Sequence, residues 1–127
     1  MAAEMMYSVL IVDDDAVVRR IHKVVLERQG CKTTAVTDGQ EAVNLFRHGE
    51  TFDLVLMDLE MPVMDGKQAT LELRTMGVKS LIIGVTSRRA GPEVEAFIGA
   101  GLNDCVEKPL TSAKLAATLH RLGVHIS

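Results

Sequence analysis

Short apolar runs alternate along this chain with longer stretches in which apolar residues recur at helical spacing, the pattern of successive βα units and a parallel sheet. Five units can be counted. The runs predict strands over Ser8 to Val12, Lys32 to Val36, Leu54 to Met57, Ser80 to Val85 and Asp104 to Glu107. Leu54-Val55-Leu56-Met57 and Leu81-Ile82-Ile83 do not alternate with polar residues, which predicts strands covered by helices on both faces. Between the strands, Val17, Val18, Ile21, Val24 and Val25 recur at helical spacing up to Gly30, a residue suited to a left-handed cap. Asp38 followed by Glu41 has the form of an N-cap with an acid at N3, and Gly49 follows the end of that helix. A third helix is expected within Lys67 to Met76. Pro92 and Glu93 favour the start of a fourth with Val94, Phe97 and Ile98, and Thr111 can cap a fifth with Leu115, Leu119 and Leu122. The expected fold class is α/β, a (βα)5 chain forming a doubly wound five-stranded parallel sheet.

Composition sets the scale of this fold. With 127 residues, 47% apolar and 24% charged, the chain has the material for one core, so residues 1–127 are expected to form a single domain with its core at about 8–123. The net charge of −3, with Lys and Arg scattered rather than clustered, argues against a nucleic-acid partner. Met1 to Met6 lacks the basic start and apolar run of a secretory leader, and no stretch approaches a membrane span. The expectation is a cytoplasmic protein, also small enough to enter the nucleus, and a monomer because no apolar heptad repeat demands a partner helix. Cys31 and Cys105 match no metal-ligand spacing and read as free thiols. His22, His48, His120 and His125 share no metal spacing either and read as surface or partly packed residues.

The chemistry lies at the strand ends. In open parallel sheets, ligands bind outside the carboxyl ends of the strands. Strand one runs into Asp13 and Asp14, strand three into Asp58, strand four into Thr86 and Ser87, and strand five stops just before Lys108-Pro109. Three carboxylates gathered at one edge repel and need a cation; an oxygen-rich site with few protein ligands suits Mg²⁺. Asp14 and Asp58 are the expected direct ligands, Asp13 acts directly or through water, and the main-chain carbonyl of Glu60 completes the set. Asp15 is expected to cap the first helix. A carboxylate nucleophile, a hydroxyl and a lysine beside Mg²⁺ together suit phosphoryl transfer onto Asp58, with Thr86 and Lys108 on the phosphoryl oxygens. No Gly-rich phosphate loop or Walker-type lysine accompanies them, so the donor is expected to be an already activated phosphoryl group rather than ATP.

These residues resemble the receiver domain of two-component response regulators. Asp13-Asp14 after the first strand, Met57-Asp58 through Pro62, Met64-Asp65-Gly66, Thr86 after the fourth strand and Lys108-Pro109 after the fifth fall in that family's order, from Val9 to Leu122. The resemblance implies a flavodoxin-like sheet with five helices, Mg²⁺-dependent phosphorylation of Asp58 by a phosphohistidine donor, and a cis Lys108–Pro109 peptide. One departure is informative. The family usually has an aromatic residue three positions before the lysine, where this chain has Cys105, and its aromatic content is only 3%. With the segment Ala100-Gly101-Leu102-Asn103 through Glu107-Lys108-Pro109-Leu110-Thr111, this makes the chain similar to plant type-C response regulators, whose receivers resemble those of hybrid histidine kinases. That likeness implies a stand-alone receiver that takes phosphate from a histidine-containing phosphotransfer protein and hydrolyses it, a phosphate sink in a multistep phosphorelay. The alternatives are a phosphorylation-dependent binding switch and a receiver module of a hybrid kinase without a phosphatase role.

Overall fold

The computed structural model describes residues 7–124; Met1 to Met6, which carry the reading on secretory leaders, and His125 lie outside the described residues. Ten elements alternate strictly: β1 (Ser8–Val12), α1 (Ala16–Arg28), β2 (Lys32–Val36), α2 (Gly39–Arg47), β3 (Leu54–Asp58), α3 (Gly66–Thr75), β4 (Leu81–Thr86), α4 (Pro92–Gly99), β5 (Asp104–Glu107) and α5 (Ser112–Arg121). The strands form one parallel sheet in the order β2-β1-β3-β4-β5. This is the doubly wound order whose direction of winding reverses between β1 and β3.

Side-chain alternation along the strands divides the core between the two faces of the sheet. Val9, Ile11, Leu54, Leu56, Ile83 and Val85 pack on one face with Leu26, Leu115 and Leu119 of α1 and α5. Leu10, Val12, Val55, Met57 and Ile82 pack on the other with Ala42, Val43, Ala69, Leu73 and Phe97 of α2, α3 and α4. β3 is buried along its whole length, as its uninterrupted apolar run predicts, whereas the edge strand β2 is largely exposed.

Local chemistry at the helix ends follows the sequence. Asp15, Asp38, Asp65 and Thr111 cap α1, α2, α3 and α5 through side-chain oxygens that accept helix N–H groups. Glu41 reaches back to the Thr37 N–H and hydroxyl. α1 closes at Gly30, at φ 86°, with Gly30 N–H donating to Glu27 and Cys31 N–H to Leu26, the double bond of a Schellman motif.

Several readings change. α3 starts at Gly66, one residue ahead of the expected Lys67 to Met76, and β4 starts at Leu81 rather than Ser80. On α1 the apolar stripe is rotated outward: Val17 is 66%, Ile21 47% and Val24 41% exposed, while His22 (3%) and Leu26 point inward. His22 is therefore a buried side chain, not a surface or partly packed one. Strands β3 and β4 also extend one residue further than their apolar runs, because Asp58 pairs in register with Val85 and Thr86 with Glu107.

Candidate active site

The carboxyl ends of β1, β3, β4 and β5 place Asp13, Asp58, Thr86 and Lys108 side by side. Each is held by main-chain contacts that the parallel ladder supplies. Asp13 N–H donates to Val36 O at 3.2 Å, and Lys108 N–H donates to Thr86 O at 2.8 Å, so both residues continue their ladders past the last strand residue. Beyond Asp58 the chain turns sharply: Met64 N–H donates to Pro62 O at 2.7 Å around Val63, whose φ of 69° is rare for a β-branched residue. Gly66 then returns so close that its N–H donates to Leu59 O at 2.8 Å, and a Cβ there would collide with the Asp58 main-chain carbonyl. The glycine thus fixes how the exit of β3 meets the start of α3.

The Lys108 ammonium bridges two carboxylates, 2.9 Å from Asp13 Oδ2 and 3.0 Å from Asp58 Oδ1. Asp13 is 2% and Asp58 6% exposed. Asp13 Oδ1 also accepts the Asp15 N–H at 2.9 Å, and its main-chain carbonyl accepts from Arg19 Nη1 at 2.8 Å. Burial pushes the Asp58 carboxyl up to about 6; the Lys108 hydrogen bond pulls it down, and the Asp13 charge adds to the rise. For Lys108 burial acts downward, but its hydrogen bonds to Asp13 and Asp58 prevail and hold the ammonium above the usual lysine range. Two buried acids sharing one ammonium leave a residual negative potential.

Asp14 is exposed at the rim, and one oxygen from each of Asp13, Asp14 and Asp58 lies within 4.8 Å of the others. At that spacing two unit charges repel by roughly 3 kcal/mol at a surface-like dielectric. A divalent cation relieves this, and an all-oxygen donor set with an open, wet side fits Mg²⁺. The Glu60 side chain does not join the group. It accepts from Arg88 Nη2 at 2.8 Å, while Arg88 Nε lies 3.3 Å from Glu93, so one arginine ties the loop after β3 to the start of α4. The expectation for Glu60 concerned its main-chain carbonyl rather than this side chain.

Thr86 is 2% exposed and its Oγ1 accepts the Arg88 N–H at 3.1 Å, leaving the hydroxyl proton to donate elsewhere. Ser87, the next hydroxyl, is exposed. The Lys108–Pro109 peptide is cis. His22, to which the sequence pattern attaches no role, borders a small cavity of about 210 Å³ with Val18, Ile21, Lys108 and Pro109. Burial holds its imidazole below the usual range, with Asp13 acting upward and Lys108 downward. A lone histidine within an apolar helix pattern carries no local signal of such a position.

Residues 9–120 match the model of the response regulator receiver domain. The chain is 48% identical over 124 residues to the two-component response regulator 24 of Arabidopsis thaliana, a match spanning 98% of this chain and 89% of that protein. The receiver domain of the Pseudomonas aeruginosa sensor histidine kinase PA1611, whose structure has a magnesium ion in the active-site cleft, superposes with a TM-score of 0.81 at 31% identity, over 92% of this chain and 97% of that one. A chain from the co-crystal structure of the yeast histidine phosphotransfer protein Ypd1 with the receiver domain of its response regulator Ssk1 gives a TM-score of 0.79 at 25% identity, over 90% and 86%.

Proposed function

This chain belongs to the response regulator receiver family, and from that premise we propose that it takes a phosphoryl group from a histidine-containing phosphotransfer protein onto Asp58, with Mg²⁺, and releases it to water. The observation that carries the reading is the buried Asp58 carboxylate, 3.0 Å from the Lys108 ammonium and grouped with Asp13 and Asp14. An Asp58 oxygen attacks phosphorus while the bond from phosphorus to the donor's imidazole nitrogen breaks. Lys108 meets the charge on one phosphoryl oxygen, and the Thr86 hydroxyl donates to another. Asp13, Asp14 and Asp58, with the Glu60 main-chain carbonyl, would hold Mg²⁺, which would supply further positive charge to those oxygens. Water then attacks the same phosphorus, the bond to Asp58 breaks, and the carboxylate is regenerated with inorganic phosphate as product.

Two features support the donor and the fate of the phosphoryl group. Val17, Ile21 and Val24 form an exposed apolar stripe on α1 beside the site, flanked by Arg19, Arg20 and Lys23, which suits docking of a helix from a phosphotransfer partner. On the face of β4, α4 and β5, the position three residues before Lys108 carries no aromatic ring. Cys105 stands at the usual aromatic position, paired in register with Gly84, and Phe97 is fully buried against that glycine. A receiver without that lever suits a sink better than a switch. The proposed site of action is the cytoplasm, with the nucleus open to so small a chain; no helix among the described residues is long and apolar enough to cross a membrane.

A time course of label transfer from a phosphorylated histidine phosphotransfer protein tests the reading, run with Mg²⁺ or EDTA and with Asp58→Asn as control. Label should leave the donor and appear as free phosphate only with Mg²⁺ and intact Asp58. Label that persists on the chain would make it a switch or relay, and label on the Asp58→Asn protein would remove Asp58 from the chemistry.

A further inference from the structure

Lys114 occupies the third position of α5, where the helix N-terminus carries partial positive charge and a cation is disfavoured. No acidic residue accompanies it in the first turn. Its side chain folds back onto the loop: Nζ donates to Glu107 O at 2.9 Å and to Pro109 O at 3.1 Å. Those two carbonyls bracket Lys108. The Lys108 N–H is already bound to Thr86 O at 2.8 Å, so main-chain groups before, at and after the lysine are all anchored.

The opposite side of this segment is loosely packed. Pro109 and Lys108 border a cavity of about 210 Å³ that Val18, Ile21 and His22 of α1 line on its other side. The main chain of this segment is restrained from β4, through Thr86 O, and from α5, through Lys114. We propose that Lys114 is a positioning residue for the reaction: its ammonium staples the Glu107 and Pro109 carbonyls and so aims the Lys108 ammonium between Asp13 and Asp58. This rests on the reading of Lys108 as the partner of a phosphoryl oxygen. The geometry accounts for a cation at the wrong end of a helix dipole, since hydrogen bonds from a charged donor to two carbonyls outweigh an unfavourable dipole contact at an exposed turn.

The test compares wild type, Lys114→Met, Lys114→Arg and Arg121→Met, with acetyl phosphate and Mg²⁺ as the small-molecule phosphoryl source. Arg121→Met, on the same helix as Lys114, removes the 2.7 Å pair to Asp104 of β5 and controls for lost stability. The maximal rate of Asp58 phosphorylation should fall about tenfold in Lys114→Met, the scale for misplacing a group that meets the transition state. The concentration of acetyl phosphate giving half the maximal rate should stay unchanged. Lys114→Arg, which keeps a charged donor, should recover most of the rate, and Arg121→Met should match wild type. The ¹⁵N signal of the Lys108 ammonium, held in two ion pairs in the unphosphorylated protein, should broaden in Lys114→Met alone. A Lys114→Met protein with lowered thermal stability, a wild-type rate and an unaltered Lys108 signal would make Lys114 merely structural and overturn the proposal. Failure of wild type itself to be phosphorylated would instead overturn the assignment of Lys108, and this proposal with it.

Discussion

Among the single side chains, Asp58 carries a conflict between its environment and its charge. Its carboxyl is pushed by burial from 3.8 up to about 6, so between those values the folded protein holds a proton that the unfolded chain has released. Stability therefore falls as pH rises through that window, and the cost is complete above about pH 6. Asp58→Asn resembles the protonated carboxyl in shape and charge. It should gain up to roughly 3 kcal/mol of stability at pH 8 in EDTA and nothing at pH 3.5, while losing all phosphoryl acceptance. Thermal melts of both proteins at the two pH values would show it, and equal melting curves at pH 8 would contradict it. Asp58 and Thr86 were legible in the sequence because each ends an apolar run, and Lys108 because it follows the fifth strand and precedes Pro109; parallel strand ends converge. His22 was not, because its burial depends on how α1 rotates against the sheet. Nor was the Lys114 contact, which depends on the path of the loop rather than on any spacing.

Among the helices and strands, sequence and structure agree best where one local rule acts alone. The expected caps at Asp15, Asp38 and Thr111 follow from side-chain chemistry within three residues; the cap at Asp65, which the sequence reading did not name, obeys the same rule. Strand ends are set by the neighbouring strand, so β3 and β4 overrun their apolar stretches by one residue each, and the two overrun residues are Asp58 and Thr86. The exit of β3 is further constrained by Gly66, where added carbon meets the Asp58 carbonyl. Gly66→Ala must displace that turn. It is expected to cost about 2 kcal/mol, in the range of overpacking a tight contact, and to slow phosphorylation of Asp58 because the backbone of the acceptor itself moves. Urea titration and acetyl phosphate kinetics on the same preparation would measure both. A variant destabilised but with an unchanged transfer rate would uncouple the turn from the site.

Across the fold, one arginine joins elements distant in sequence. Arg74, in the last turn of α3, donates to Val78 O, Ser80 O, Gly101 O and Asn103 Oδ1, at 2.8 to 2.9 Å. Asn103 Oδ1 also accepts the Ile82 N–H at 2.8 Å, at the start of β4. α3, β4 and the loop between α4 and β5 are thus fastened at the end of the sheet away from the carboxylates. Arg74→Ala should lower stability by about 2 kcal/mol, the scale of one or two lost charge-assisted hydrogen bonds in a partly solvated setting. Phosphoryl acceptance per folded molecule should survive, and calorimetry beside a labelling assay would separate the two; parallel loss of both would show that the far end of the sheet governs the near one. The exposed stripe of Val17, Ile21 and Val24 has a consequence of another kind. Docking a partner there removes hydrocarbon from water, a process with a negative heat capacity whose driving force fades on cooling. The temperature of the cell would then enter the signal directly: at low temperature the receiver would engage its donor less tightly, and phosphoryl flow through it would slow even if Asp58 were unchanged.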